Sequence, residues 1–173
     1  KNDEAAEAFE HAFDIDASYR FGAEQALHLR IGDSAFDKAS ATLERLEHLS
    51  PGARNLVFAL KIAFGEKRYA DAMALLAKIF RADTDDYWVV SEAVTSVPEG
   101  EWADASIVDL EAALAAGEVH NPRSGIAFVD FRLNTGDTGA LAGLLASFPL
   151  KPDVARWTWH HFISELGQRR DRK

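Results

Sequence analysis

Residues 26–46, "ALHLRIGDSAFDKASATLERL", and residues 59–79, "ALKIAFGEKRYADAMALLAKI", decide the reading of this chain. Laid side by side without a gap, they match at Ala26/Ala59, Leu27/Leu60, Leu29/Ile62, Ile31/Phe64 and Gly32/Gly65. The match continues at Phe36/Tyr69, Ala39/Ala72, Ala41/Ala74, Leu43/Leu76 and Leu46/Ile79. The offset in residue number is 59 − 26 = 33. Apolar positions, a turn glycine and the aromatic after it all recur. A period in the low thirties marks stacked helical hairpins, because one hairpin cannot bury its apolar face alone.

Outward from these two stretches the apolar spacing stays helical. Leu75, Leu76, Ile79 and Phe80 form one stripe at steps of three and four, and so do Leu43, Leu46 and Leu49. "IAFVDF" at 126–131 sits between helical segments and reads as helix. Breaks fall at Gly32-Asp33, Ser50-Pro51-Gly52, Gly65-Glu66, Pro98-Glu99-Gly100, Gly117, Asn121-Pro122, Gly136-Asp137, Pro149 and Pro152. Glycine accepts positive φ and proline lacks an N–H, so both end helices. The spacing predicts an all-α chain of helices with short links.

The second half of each matched stretch carries a further pattern. Phe36, Ala39, Leu43, Leu46 and Pro51 recur as Tyr69, Ala72, Leu76 and Ile79, with Thr84 in the proline place. This order resembles the second helix of the tetratricopeptide (TPR) repeat family. A third copy is expected at Trp102, Ala105 and Ala112, with Asp109 at the large apolar place and Leu110 beside it. A fourth is expected at Gly136, Ala140, Leu144 and Pro149. The opening "EAFEHAFDIDAS" is similar to the end of such a helix. Ala5/Ala39, Phe9/Leu43, Ala12/Leu46 and Ala17/Pro51 share the offset 39 − 5 = 34. The chain is therefore expected to start inside a repeat of a longer array, with an N-terminal capping role for this helix as the alternative.

The resemblance implies a single domain over 1–173, with a partial repeat at 1–17 and units at 18–51, 52–84, 85–117 and 120–149. A capping helix follows at 152–168, where Trp159, Phe162 and Leu166 are expected to cover the last apolar surface. The implied architecture is an α-α superhelix, a right-handed TPR-like solenoid of antiparallel hairpins.

Composition narrows the function. Acidic residues outnumber Lys and Arg by 28 to 19, a formal charge of −9, which argues against nucleic acid as a partner. No apolar run approaches the roughly 20 residues of a membrane span, so no direct membrane insertion is expected. With no cysteine, thiolate catalysis and disulfides are excluded. Compartment stays open, with the cytoplasm favoured. From Arg81 to Glu118 the only basic residue is Arg81, beside Asp83, Asp85, Asp86, Glu92, Glu99, Glu101, Asp104, Asp109, Glu111 and Glu118. That run reads as a solvated face or as a surface for a basic partner.

Catalytic patterns are weak. His160 and His161 invite a metal, and His161 with Glu165 has ligand spacing, but the sequence offers no third ligand beside them. "NTGDTG" at 134–139 lacks a P-loop lysine and a preceding strand. No enzyme activity, cofactor or metal is expected. In TPR arrays the first helices line a concave wall that takes peptides or helices. The resemblance therefore implies a partner site at His28, Arg54, Asn55, Lys61 and Arg132. The expected function is a non-catalytic protein-interaction scaffold. Its groove is expected to be basic toward the N-terminus and acidic beyond it. The alternative is a helical regulatory or targeting domain of a larger enzyme or membrane-anchored assembly factor. Homo-oligomerisation is compatible with either.

Overall fold

A computed structural model describes residues 1–82, 84, 86–98, 101–134 and 138–171. Among them lie ten helices and no strand. They are α1 (Asn2–Ile15), α2 (Arg20–Gly32), α3 (Phe36–Leu49), α4 (Ala53–Gly65) and α5 (Tyr69–Arg81). There follow α6 (Tyr87–Thr95), α7 (Glu101–Ala115), α8 (Pro122–Asn134), α9 (Thr138–Ser147) and α10 (Pro152–Asp171). The chain is all-α, and "IAFVDF" lies within α8. Two compact units are present, Lys1–Leu76 and Ala77–Lys173.

Within each unit the packing follows one rule. In the first, α4 lies against both α2 and α3. In the second, α8 lies against both α6 and α7. The first helix of a hairpin thus rests on both helices of the hairpin before it. In the first unit Phe13, Ala23, Leu27, Ala39, Leu43, Leu46, Phe58 and Ile62 form one apolar core, with Phe36 packed on its edge.

The second helices bury one three-residue stripe at steps of four and three. It is Ala39, Leu43, Leu46 in α3 and Ala72, Leu76, Ile79 in α5, all buried as the sequence pattern predicts. Phe36 and Tyr69 are half-buried instead of enclosed. In the remaining copies the register differs from the sequence reading by one residue. Helix α1 buries Ala6 and Phe13, while Ala5, Phe9 and Ala12 are only half-buried. The offset to α3 is therefore 39 − 6 = 33, not 34. Helix α7 buries Ser106, Leu110 and Ala113, leaving Ala105 and Ala112 exposed. In α9 Leu141, Leu145 and Phe148 are buried, and Ala140 is exposed. Gly136 lies outside the described residues, as does the side chain of Trp102.

The shifts in α7 and α9 have a source in the links. From the buried Leu27 to Ala39, and from Leu60 to Ala72, the step in residue number is 39 − 27 = 72 − 60 = 12. From Ala93 to Ser106 and from Phe128 to Leu141 it is 106 − 93 = 141 − 128 = 13. An ungapped comparison runs one residue out of phase after the insertion, and each residue turns a helix by about 100°.

The turns between first and second helices are also repeated. Ser34 and Lys67, again offset by 67 − 34 = 33, both sit in the left-handed region at φ 58° and 61°. After each, a backbone N–H reaches back five residues: Ala35 N to Arg30 O and Arg68 N to Ala63 O, both 2.8 Å. This is the Schellman closure, which occupies carbonyls that the helix end leaves open. Gly117 at φ 70° closes α7 in the same way, through Glu118 N to Ala113 O at 3.0 Å. Of the two recurring glycines, Gly32 has open space beside it and Gly65 has a packing task. A Cβ on Gly65 would collide with the Phe36 ring, so Gly65 is the flat seat on which that aromatic packs.

Helix α10 buries Val154, Thr158 and Phe162 against α8, whereas Leu166 is exposed and Trp159 half-buried. The covering face is thus turned from the expected Trp159–Phe162–Leu166 stripe. Gly125 of α8 makes the close approach, since a Cβ there would collide with Thr158 Oγ1. In register, Thr158 follows Ser124 and Phe162 follows Phe128, with 158 − 124 = 162 − 128 = 34.

Candidate binding surface

On the first helices of the first unit, the polar residues are tied into the fold. Arg20 reaches from α2 to the link before α4. Its Nε donates to Glu24 Oε1 at 2.6 Å, its Nη1 to Ser50 O at 2.9 Å, and its Nη2 to Asn55 Oδ1. Asn55 is buried and returns a bond from Nδ2 to Ser50 O at 3.1 Å. Arg54 Nη1 donates to Glu24 Oε2 at 3.1 Å. Glu24 therefore receives two guanidinium groups, one from its own helix and one from α4. Arg20 and Glu24 are absent from the sequence-predicted set; their four-residue spacing is the signal that could have marked them.

His28 is exposed and sets its ring edge-on to Phe58 of α4 at 5.1 Å. Lys61 is half-buried on α4. The four residues His28, Arg54, Asn55 and Lys61 thus share the α2–α4 layer, but Asn55 works inside it. Arg132 lies in the second unit, on α8. It pairs with Glu111 of α7 and stands over the Phe128 ring, 5.5 Å from its centre.

The acidic run is largely paired where it is described. Arg81 donates to Glu118 at 2.6 Å and approaches Asp109 at 3.4 Å. The Glu118 hydrogen bond, with Asp109 adding charge, raises the Arg81 guanidinium above its already high ordinary value. Asp86 caps α6 by accepting from Trp88 N at 3.0 Å. Asp83, Asp85 and Glu99 lie outside the described residues, as do the side chains of Glu101 and Asp104.

A groove of about 180 Å³ opens between the first helices α6 and α8. Val94, Ile126 and Ala127 line it with apolar side chains, and Ser91 and Thr95 with hydroxyls. Arg123 and Asp130 stand at its wall, seven residues apart on α8, or roughly 10 Å along the helix. Such a volume falls below the roughly 300 Å³ of a small-molecule cleft but suits one or two apolar side chains of a peptide.

His161 has a carboxylate partner that the sequence reading missed: its Nε2 lies 2.5 Å from Asp130 Oδ1. Asp130 is far away in sequence, and only the packing of α10 on α8 joins them. Among the described residues no three His, Asp or Glu side chains gather as for a metal ion, and no helix is long and apolar enough to cross a membrane. Compared with protein-family models, curated proteins and solved structures, the chain finds no match.

Proposed function

We propose that this protein is a TPR-like solenoid scaffold, without catalytic activity, that holds an extended or helical segment of a partner protein along its first helices. The observation that carries this reading is the α6–α8 groove. It lies between successive first helices, is lined by Val94, Ile126 and Ala127, and carries at its wall Arg123 and the carboxylate of Asp130, which also meets His161. A segment with one or two apolar anchors flanked by charges of both signs fits that chemistry. His28, Arg54 and Lys61 occupy the corresponding first-helix layer of the first unit and supply a basic contribution of their own.

A random peptide library displayed and selected on the wild-type chain tests this. Selected peptides are then measured against Ile126→Glu, and against Arg54→Ala combined with Lys61→Ala, with circular dichroism confirming the fold. We expect Ile126→Glu to weaken binding at least about tenfold, equivalent to about 1.4 kcal/mol. The double variant should flatten the salt dependence. Selected peptides that bind both variants as tightly as the wild type would rule out the groove as the site.

A further inference from the structure

Asp130 belongs to two contacts at once. It stands at the wall of the α6–α8 groove, and its Oδ1 lies 2.5 Å from His161 Nε2 of α10. Its side chain is nevertheless 51% exposed, against 27% for His161. Among the described residues no other donor reaches this carboxylate, so Oδ2 is open to a second one. The carboxylate also stands near the C-terminal end of α8, where the helix dipole favours a cation beside it.

The repeat does not ask for this pair. Asp130 stands two residues after the buried Phe128, and His161 one residue before the buried Phe162. One step earlier the same two places hold Thr95, two after Ala93, and Ala127, one before Phe128. In the first unit they hold Leu29, two after Leu27, and Ala59, one before Leu60. These earlier places are uncharged, and α10 already sets Val154, Thr158 and Phe162 against α8.

We propose, resting on the groove reading above, that Asp130 holds a lysine or arginine of the partner segment and that the charge on His161 sets how tightly. Imidazole is the side chain whose charge ordinarily changes between about pH 5 and 8. A neutral His161 leaves the carboxylate's charge to the incoming cation. A protonated His161 makes an ion pair with Asp130, so the partner's cation shares the carboxylate and meets a like charge. Binding is therefore tighter at higher pH and, by reciprocity, the bound segment displaces a proton.

The neighbouring charges leave this role to His161. On α10, Glu165 stands one turn beyond it, and His160 turns to Trp157, with ring centres 6.3 Å apart. On α8, Arg123 stands elsewhere along the groove wall, and Arg132 pairs with Glu111 of α7. Asp109 of α7 goes to Arg81. From α6 the groove is lined by Ser91, Val94 and Thr95, with Glu92 outside that lining. Helix α9, "TGALAGLLAS", contains no titratable side chain.

The probe is a set of histidine-free peptides selected on the wild-type chain at about pH 7.5 from a random library, keeping those that Ile126→Glu weakens. If no peptide passes that filter, the groove reading fails and this proposal with it. Peptides that pass should be enriched in lysine or arginine. Their Kd on the wild type should rise by about fivefold on going from about pH 7.5 to about pH 5.5. In His161→Gln it should stay within about twofold over that range, whereas His160→Gln should follow the wild type. Asp130→Asn should weaken the peptides at the higher pH and remove the pH dependence. Circular dichroism checks each fold at both pH values. Calorimetry at an intermediate pH, in buffers of different ionisation enthalpy, should show a proton released on binding. Passing peptides without enriched cations, a wild-type Kd unchanged with pH, or a pH dependence that survives in His161→Gln or Asp130→Asn would overturn the proposal while the groove reading stands.

Discussion

Glu10 occupies a place where the other second helices carry leucine. Its equivalents are Leu43, Leu76, Leu110 and Leu145, all buried. The carboxylate is accommodated by Arg30 of α2, whose Nη2 lies 2.5 Å from Glu10 Oε2. Arg30 Nη1 donates to Thr42 Oγ1 at 2.5 Å and to Lys38 O at 2.9 Å, and Thr42 donates to Glu10. Three helices are thus joined through one mostly buried ion pair. Removing one partner from such a pair strands the other charge. Arg30→Met should destabilise the first unit by about 3–5 kcal/mol, read by chemical denaturation. Adding Glu10→Leu should recover most of that loss, because an apolar pair at a leucine position avoids the desolvation cost. A double variant as unstable as the single would show that the pair does more than fill a core position. The native Glu10 at a leucine place also hid the register of the first copy in the sequence. With Glu10 polar, Ala5 and Phe9 looked like the stripe, and only packing distinguishes them from Ala6 and Phe13.

At the scale of the element, how visible each helix is depends on how sharply its stripe is drawn. Helices α3 and α5 alternate leucine or isoleucine with polar residues, so their buried faces were legible. Helix α7 offers Ala105 beside Ser106 and Ala112 beside Ala113, small residues that fit either face, and an inserted residue precedes it. Its existence could be read, but its rotation could not. The turns were legible only in part: glycine marked their position, yet the left-handed residues are Ser34 and Lys67, two positions further on. A non-glycine residue there carries a steric cost of about 1–2 kcal/mol, offset in part by the greater freedom that glycine loses on folding. Ser34→Gly and Lys67→Gly are therefore expected to be neutral or to stabilise by up to about 1 kcal/mol in thermal unfolding. Gly65→Ala should instead destabilise, since its new methyl would strike the Phe36 ring. A loss of stability in both left-handed variants would contradict the Schellman assignment.

For the molecule as a whole, everything rests on the period. Five second helices bury equivalent positions, running through Ala6, Ala39, Ala72, Ser106 and Leu141 at successive offsets of 33, 33, 34 and 35. The candidate surface was less legible than the repeat. His28, Arg54, Asn55 and Lys61 all stand on α2 and α4, but a side chain's commitment to its own fold, as at Asn55, is invisible before packing. The α6–α8 groove was missed because its lining is ordinary Val, Ile, Ala, Ser and Thr. The measurement that tests the period most directly is single-cysteine labelling, which this cysteine-free chain makes unambiguous. Cysteine placed singly at Ala6, Ala39, Ala72 and Ser106 should label at least about a hundredfold more slowly than at the exposed Ala8, Ser40, Ala74 and Ala105. Reaching a buried thiol requires an opening of about 3 kcal/mol or more. A cysteine at Ser106 that labels as fast as one at Ala105, or protection in the reverse order, would contradict the repeat register on which this account of the fold and the proposed binding surface is built.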